Sequence, residues 1–131
     1  LRPGAQFLAE MGGKHNVRTV DEALIGAVVA LGHPVPSIRK FFPSVGEESA
    51  LLEEAGFDVR SMWWFPRPTP LRPGQTPADW TKVFRSDVWR EVPIEQHAEL
   101  ARSIDEACAG LRSADGWNID YWRLRWVCRA T

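Results

Sequence analysis

The spacing of the apolar residues changes three times along this chain, and each change limits what the backbone can become. Val17, Val20, Ala23, Leu24, Ala27, Val28 and Leu31 recur at helical spacing, with Gly32 as a stop and Pro34 beyond it. From Phe57 the period is two: Phe57, Val59, Ser61, Trp63 and Phe65 fall to one side, and Asp58, Arg60, Met62 and Trp64 to the other. Pro93 then opens a second helical stripe of Ile94, His97, Ala101, Ile104, Cys108 and Leu111. Finally Trp117 to Ala130 alternates again, with Trp122, Leu124, Trp126 and Cys128 facing one way and Tyr121, Arg123, Arg125 and Val127 the other. Neither an all-helical nor an all-strand fold accommodates both periods.

Punctuation fills in the remainder. Residues 5–11 form a short apolar run between Arg2-Pro3-Gly4 and Gly12-Gly13, the length and flanks of a buried strand, and Asn16 is placed to cap the first helix. Pro34, Pro36 and Pro43 mark a loop; Ser44 with Glu47 is a capping box for a short helix that Gly56 closes. Pro66, Pro68, Pro70 and Pro73 end the middle strand in a stiff extended loop. Thr76-Pro77-Ala78-Asp79 starts another helix, and Asp115-Gly116 is a turn. The predicted class is α/β, in the order strand, helix, short helix, strand, helical insertion (within residues 66–118), antiparallel last strand. A strand–helix–strand unit predicts a parallel pair with a right-handed crossover. The outer edge of the first strand is left without a partner, so the sheet reads as incomplete.

Composition excludes several classes. Lys and Arg number 16 against 17 Asp and Glu, a net charge of −1 that lacks the cation excess a general nucleic-acid binder needs. No apolar run reaches the roughly 18 residues of a membrane span. Cys108 and Cys128 have neither C-x-x-C nor zinc spacing, so the expectation is a reduced, metal-free, cytoplasmic protein. The opening Leu1-Arg2-Pro3-Gly4 is a turn signal directly before an apolar run, and reads as a cut into a longer polypeptide.

Several stretches together resemble one family. Leu1-Arg2-Pro3-Gly4 resembles the turn before the fifth strand of class I S-adenosylmethionine-dependent methyltransferases, with Ala5 in place of a second glycine. Phe7-Leu8-Ala9-Glu10-Met11-Gly12-Gly13-Lys14-His15-Asn16 is similar to a segment of the trans-aconitate-methyltransferase-like small-molecule group, with His15 in place of a glycine. Phe42-Pro43-Ser44, Leu51 to Phe57, Phe65-Pro66-Arg67-Pro68-Thr69-Pro70-Leu71 and Asp120 to Arg125 match the same group. The resemblance implies that residues 1–131 are the C-terminal half of one Rossmann-like methyltransferase domain. It implies S-adenosylmethionine as cofactor, gripped by the missing N-terminal half, since no G-x-G-x-G or G-x-G-x-x-G occurs here.

In open α/β sheets ligands sit beyond the carboxyl ends of the strands. Gly12, Gly13, Lys14, His15 and Asn16 leave the first strand at such an end, and are candidates for substrate binding; a plain strand-to-helix turn is the bland alternative. His15 is a weak candidate for a general base, because imidazole titrates near neutral pH. Arg67, fixed between two prolines, could hold a carboxylate, or instead pack over Trp63 or Trp64. Trp80, with Phe84 and Trp89, could line a lid over the substrate; alternatively these rings anchor the insertion. Trp122 and Trp126 read as core, and Arg123, Arg125 and Arg129 as a solvated strand face.

The expectation is therefore part of a methyltransferase acting on a small molecule, a carboxylate being the natural guess, with this chain alone inactive. Expected partners are the small-molecule substrate and the missing half of the domain, with no nucleic acid and no membrane. Two rivals stand beside it: a non-catalytic half-sheet that holds a ligand or partner chain, and an enzyme completed by a separately encoded cofactor half.

Overall fold

A computed structural model describes residues 1–131. The chain is a mixed α/β protein that divides into two compact units, one comprising Leu1–Asn16, Lys40–Arg67 and Tyr121–Thr131, the other Val17–Arg39 and Pro68–Asp120.

The first unit is built on three strands, β1 (Gln6–Gly12), β2 (Phe57–Pro66) and β6 (Trp122–Ala130), with the helix α2 (Val45–Glu54). Ser44 and Glu47 form the expected reciprocal capping box at the start of α2. Gly56, at φ +89°, takes the left-handed turn that ends this helix and starts β2. The strand order is β1-β6-β2, antiparallel at both junctions. The last strand is thus antiparallel as expected, but the predicted directly paired parallel strands are not formed: β6 lies between β1 and β2. Side-chain period shows which residues share a face, not which strands are neighbours. β6 has no proline or glycine to interrupt either of its edges.

A second difference lies within β2. The register slips between Val59 and Ser61, so Arg60 is the extra residue of a β-bulge. Strict alternation therefore fails beyond it. Phe57 and Val59 share their face with Met62 and Trp64, while Ser61, Trp63 and Phe65 join Asp58 on the opposite face. The first of these faces meets α2. Leu52, Leu124, Trp126 and Cys128 are buried there, with Phe7, Ala9, Met11, Phe57, Val59 and Met62 packed around them. Burying each large side chain of this kind contributes about 1.5–3 kcal/mol.

The second unit holds α1 (Arg18–Ala30), the two-residue strand β3 (Thr69–Pro70), α3 (Pro77–Phe84), α4 (Ser86–Arg90), α5 (His97–Ala107), and the hairpin of β4 (Arg112–Ser113) with β5 (Gly116–Ile119). Thr76 and Asp79 cap α3 reciprocally, with Pro77 in its first turn. Pro93 is followed by a 3₁₀ turn before α5 begins at His97. Val20, Leu24 and Val28 of the first predicted stripe and Ile104 and Cys108 of the second are buried, whereas Ile94, which precedes α5, is 78% exposed and Leu100, outside the predicted stripe, is buried. The predicted continuous run from Trp117 to Ala130 is broken into β5 and β6 at Asp120-Tyr121. Asp120 is occupied otherwise: its Oδ2 accepts from Thr19 N at 2.9 Å and its carbonyl from Val17 N at 3.0 Å, so it caps α1.

Candidate functional site

The turn that leaves β1 is held by short hydrogen bonds. Gly13 N donates to Trp122 O at 2.9 Å, Lys14 N to Pro43 O at 2.9 Å, and Asn16 N to Gly13 O at 3.0 Å. Asn16 does not cap α1; the capping position is Val17, with no side-chain bond. The buried Asn16 side chain turns instead to β6, where its Oδ1 accepts from Trp122 N at 2.8 Å. Satisfying that strand's first N–H takes the acceptor a cap would have used.

Two non-glycine residues of this turn are left-handed, His15 at φ +69° and Val17 at φ +50°. Each costs about 1–2 kcal/mol relative to ordinary backbone, and for a β-branched valine such a φ is an outlier. His15 thus adopts the backbone conformation that a glycine would take most readily. Its ring lies 5.8 Å from that of Trp64 and 6.4 Å from that of Trp122, centroid to centroid, and the two indoles stack at 4.4 Å. Trp64 Nε1 donates to Lys14 O at 2.9 Å, which fixes the stack to the turn. The result is an aromatic corner of one imidazole and two indoles at the end of β1. Lys14 is exposed beside it.

The glycines serve this corner through close packing. A Cβ on Gly12 would lie 2.6 Å from Asn16 Nδ2 and 2.8 Å from the Phe42 ring; one on Gly13 would meet Trp64 at 3.0 Å and Leu124 at 3.1 Å. The space each leaves is filled by the protein's own side chains. The Gly-Gly turn therefore leaves no open cradle for the adenosine or methionine part of S-adenosylmethionine.

Arg67 stands in a second cluster of the same unit. Its Nη1 donates to Glu10 Oε1 at 2.9 Å, where Arg123 Nε also donates at 3.0 Å. Arg125 grips Glu10 Oε2 through Nε and Nη2, at 2.9 and 2.7 Å. The hydrogen bonds from Arg125 and Arg123 are the main cause that lowers the Glu10 pKa to about 2. Arg123 and Arg125 are therefore ion-paired, where the alternation alone predicts a merely solvated face. The signal for Glu10 is that it is the one charged residue of β1.

Trp80 belongs to the other unit, where it is buried against Phe84 at 4.8 Å, with the Arg85 guanidinium 5.3 Å from its ring. Trp89 is buried as well, its Nε1 bonded to Thr81 Oγ1 at 3.0 Å, while Phe84 is exposed. Arg85 also forms an ion pair with the buried Asp21 at 2.8 Å. His33 is bonded to Gln96 at 2.6 Å and His97 to Val92 O at 2.9 Å. Burial pushes the Cys108 thiol up to about 12, with Asp105 and Asp120 adding to the effect. No group of three or more His, Cys, Asp or Glu is placed to hold a metal ion, and no helix is long and apolar enough to cross a membrane.

No protein-family model matches the chain. Over 134 aligned positions, 97% of this chain, it is 31% identical to an uncharacterized methyltransferase of Schizosaccharomyces pombe. It spans about half (50%) of that relative's length. Among solved structures, a Bacillus halodurans C-125 protein proposed to be a methyltransferase overlaps 98% of this chain and 57% of its own, with a TM-score of 0.44 and 16% identity. Only the sequence match bears on what the chain does.

Proposed function

We propose that this chain is the substrate-side half of an S-adenosylmethionine-dependent methyltransferase that acts on a small molecule, with a carboxylate as the favoured acceptor. The observation that carries the proposal is the 31% identity to a methyltransferase along nearly the whole chain. S-adenosylmethionine supplies an electrophilic methyl group on a sulfonium; its grip is assigned to a half outside these residues.

On this reading the turn of Gly12, Gly13, Lys14, His15 and Asn16 receives the substrate. The exposed Lys14 offers a cation to a carboxylate, and the His15 ring, supported by Trp64 and Trp122, flanks the acceptor. Arg67 contributes positive charge, and Trp80 stiffens the helical insertion of the other unit. Attack by a carboxylate needs little acid–base help, so alignment is the main task of these residues. His15 then acts as a contact first and as a base second.

The test has two parts. Calorimetric titration of the 131-residue chain with S-adenosylhomocysteine, after a light-scattering check for aggregation, is expected to show no saturable binding. Co-expression with the unmatched half of the yeast relative, followed by incubation with methyl-labelled S-adenosylmethionine and a panel of small carboxylic acids, is expected to yield methyl ester. Labelled ester should fall at least tenfold with Lys14→Ala. Micromolar binding by the chain alone would overturn the division of labour, and labelled amine or carbon products in place of ester would overturn the acceptor class.

A further inference from the structure

The sheet face opposite α2 carries charge that the methyl-transfer reading leaves largely unused. Glu10, Arg67, Arg123 and Arg125 converge there, one carboxylate among three guanidinium groups. Three guanidinium groups thus share one carboxylate, and Arg123 and Arg125 alone outnumber it. The other acid of this face, Asp58, stands in register with Arg129 toward the opposite end of β2, away from the cluster. Beside the arginines the same face is aromatic. Trp63 is directly across from Arg125 and half exposed, and the Arg125 guanidinium lies 5.2 Å from the Phe65 ring centroid. Trp63, Phe65 and Arg125 of this face, with Met62 and Trp64 of the other, line an open groove of about 580 Å³ that runs over the outer edge of β2. Surplus guanidinium charge beside exposed indole is the pairing that receives a flat body bearing an oxyanion.

We propose that this groove is a binding site for an aromatic carboxylate, whose ring lies against Trp63 and Phe65 and whose carboxylate is received by Arg125, Arg123 and Arg67. Glu10 is the resident anion that holds the three guanidinium groups together when the site is empty. An incoming carboxylate shares them with it. The inference does not rest on methyl transfer, and its test contains no methyl donor, so either proposal can fail without the other.

The probe is 2-naphthoate, titrated into the 131-residue chain and read by tryptophan fluorescence and by calorimetry, with uncharged 2-naphthamide and inorganic phosphate as comparators. Naphthoate is expected to saturate, at least tenfold tighter than either comparator. Arg125→Gln, at a half-exposed position, should weaken naphthoate at least fivefold and leave naphthamide unchanged; Arg123→Gln should do the same if it folds. Glu10→Gln should have the opposite sign, tightening naphthoate severalfold by removing the resident carboxylate. Arg129→Gln, on the same face but bonded to Gly4 O, should leave binding unaltered. Equal affinity for naphthoate and naphthamide, equal affinity for phosphate, absence of saturation, or weakened binding in Glu10→Gln would each overturn the proposal.

Discussion

One face of the three-stranded sheet is buried beneath α2 and lined by Leu124, Trp126 and Cys128; the other is open and carries Leu8, Trp63, Glu10 and its arginines. Both are made from alternate residues of the same strands. The same carboxylate chemistry behaves oppositely on the two sides. Glu48 of α2 is buried and desolvation raises its pKa, whereas Glu10 on the open face is held low by guanidinium donors. Burial raises the Cys128 thiol, and the charge of Glu48 adds to the effect. The comparison teaches that this sheet is stabilised by apolar burial on one side and organised by charge on the other. The bulge at Arg60 decides which aromatic residues go to which side.

The largest effect should come from shifting the alternation beyond the bulge. Inserting one alanine between Ser61 and Met62 would drive Trp63 and Phe65 toward α2 and turn Met62 and Trp64 outward, so cooperative urea unfolding should be lost, whereas deleting the extruded Arg60 keeps every later residue on its face. An insertion variant with the parent's urea midpoint would show that the two faces are interchangeable. Next, Leu124→Ala should cost about 3 kcal/mol on the buried face, while Leu8→Ala, at 64% exposure, should stay within about 0.5 kcal/mol. Similar losses for both would erase the contrast.

A smaller difference separates two replacements of His15. Alanine and glycine both delete the ring, but only alanine keeps the left-handed penalty, so His15→Gly should be more stable than His15→Ala by about 1 kcal/mol. Chemical denaturation of the pair reads this directly. The pH dependence should differ in sign between the faces. Glu10, with its pKa depressed from 4.5 to about 2, contributes stability that is present above pH 4.5 and lost as pH falls toward 2. Allowing for solvent screening this is about 1 kcal/mol, and Glu10→Gln should flatten that part of the profile. Glu48, with a raised pKa, acts the other way, its contribution being lost as pH rises, so Glu48→Gln should gain stability at neutral pH relative to pH 4. Smallest of all, Cys108 should stay unlabelled by a thiol reagent in the native chain and react once urea exposes it, because its thiol is buried and pushed up to about 12.

Much of this was legible in the sequence because it depends on neighbours in the chain. Ser44 with Glu47, and Thr76 with Pro77 and Asp79, build their caps from residues three apart, and Gly56 closes α2 through its own φ. The apolar stripe of α1 and the alternation of β6 likewise state which side is buried. The misread positions are those whose partners are remote. Asn16 lies 106 residues from the Trp122 N–H that claims its side chain, and Asp120 lies 101 residues from the helix start that it caps. No local spacing encodes either bond.

The sequence by itself determined the kinds of element, the local caps of α2 and α3, and the chemistry available at the end of β1, since propensity, period and local capping are properties of short segments. Only the tertiary structure decided that β6 lies between β1 and β2, that Arg60 is extruded, and that Glu10 meets Arg67, Arg123 and Arg125. Those outcomes follow from competition among distant segments for the same hydrogen bonds and the same buried face, and that competition is settled by the whole fold at once.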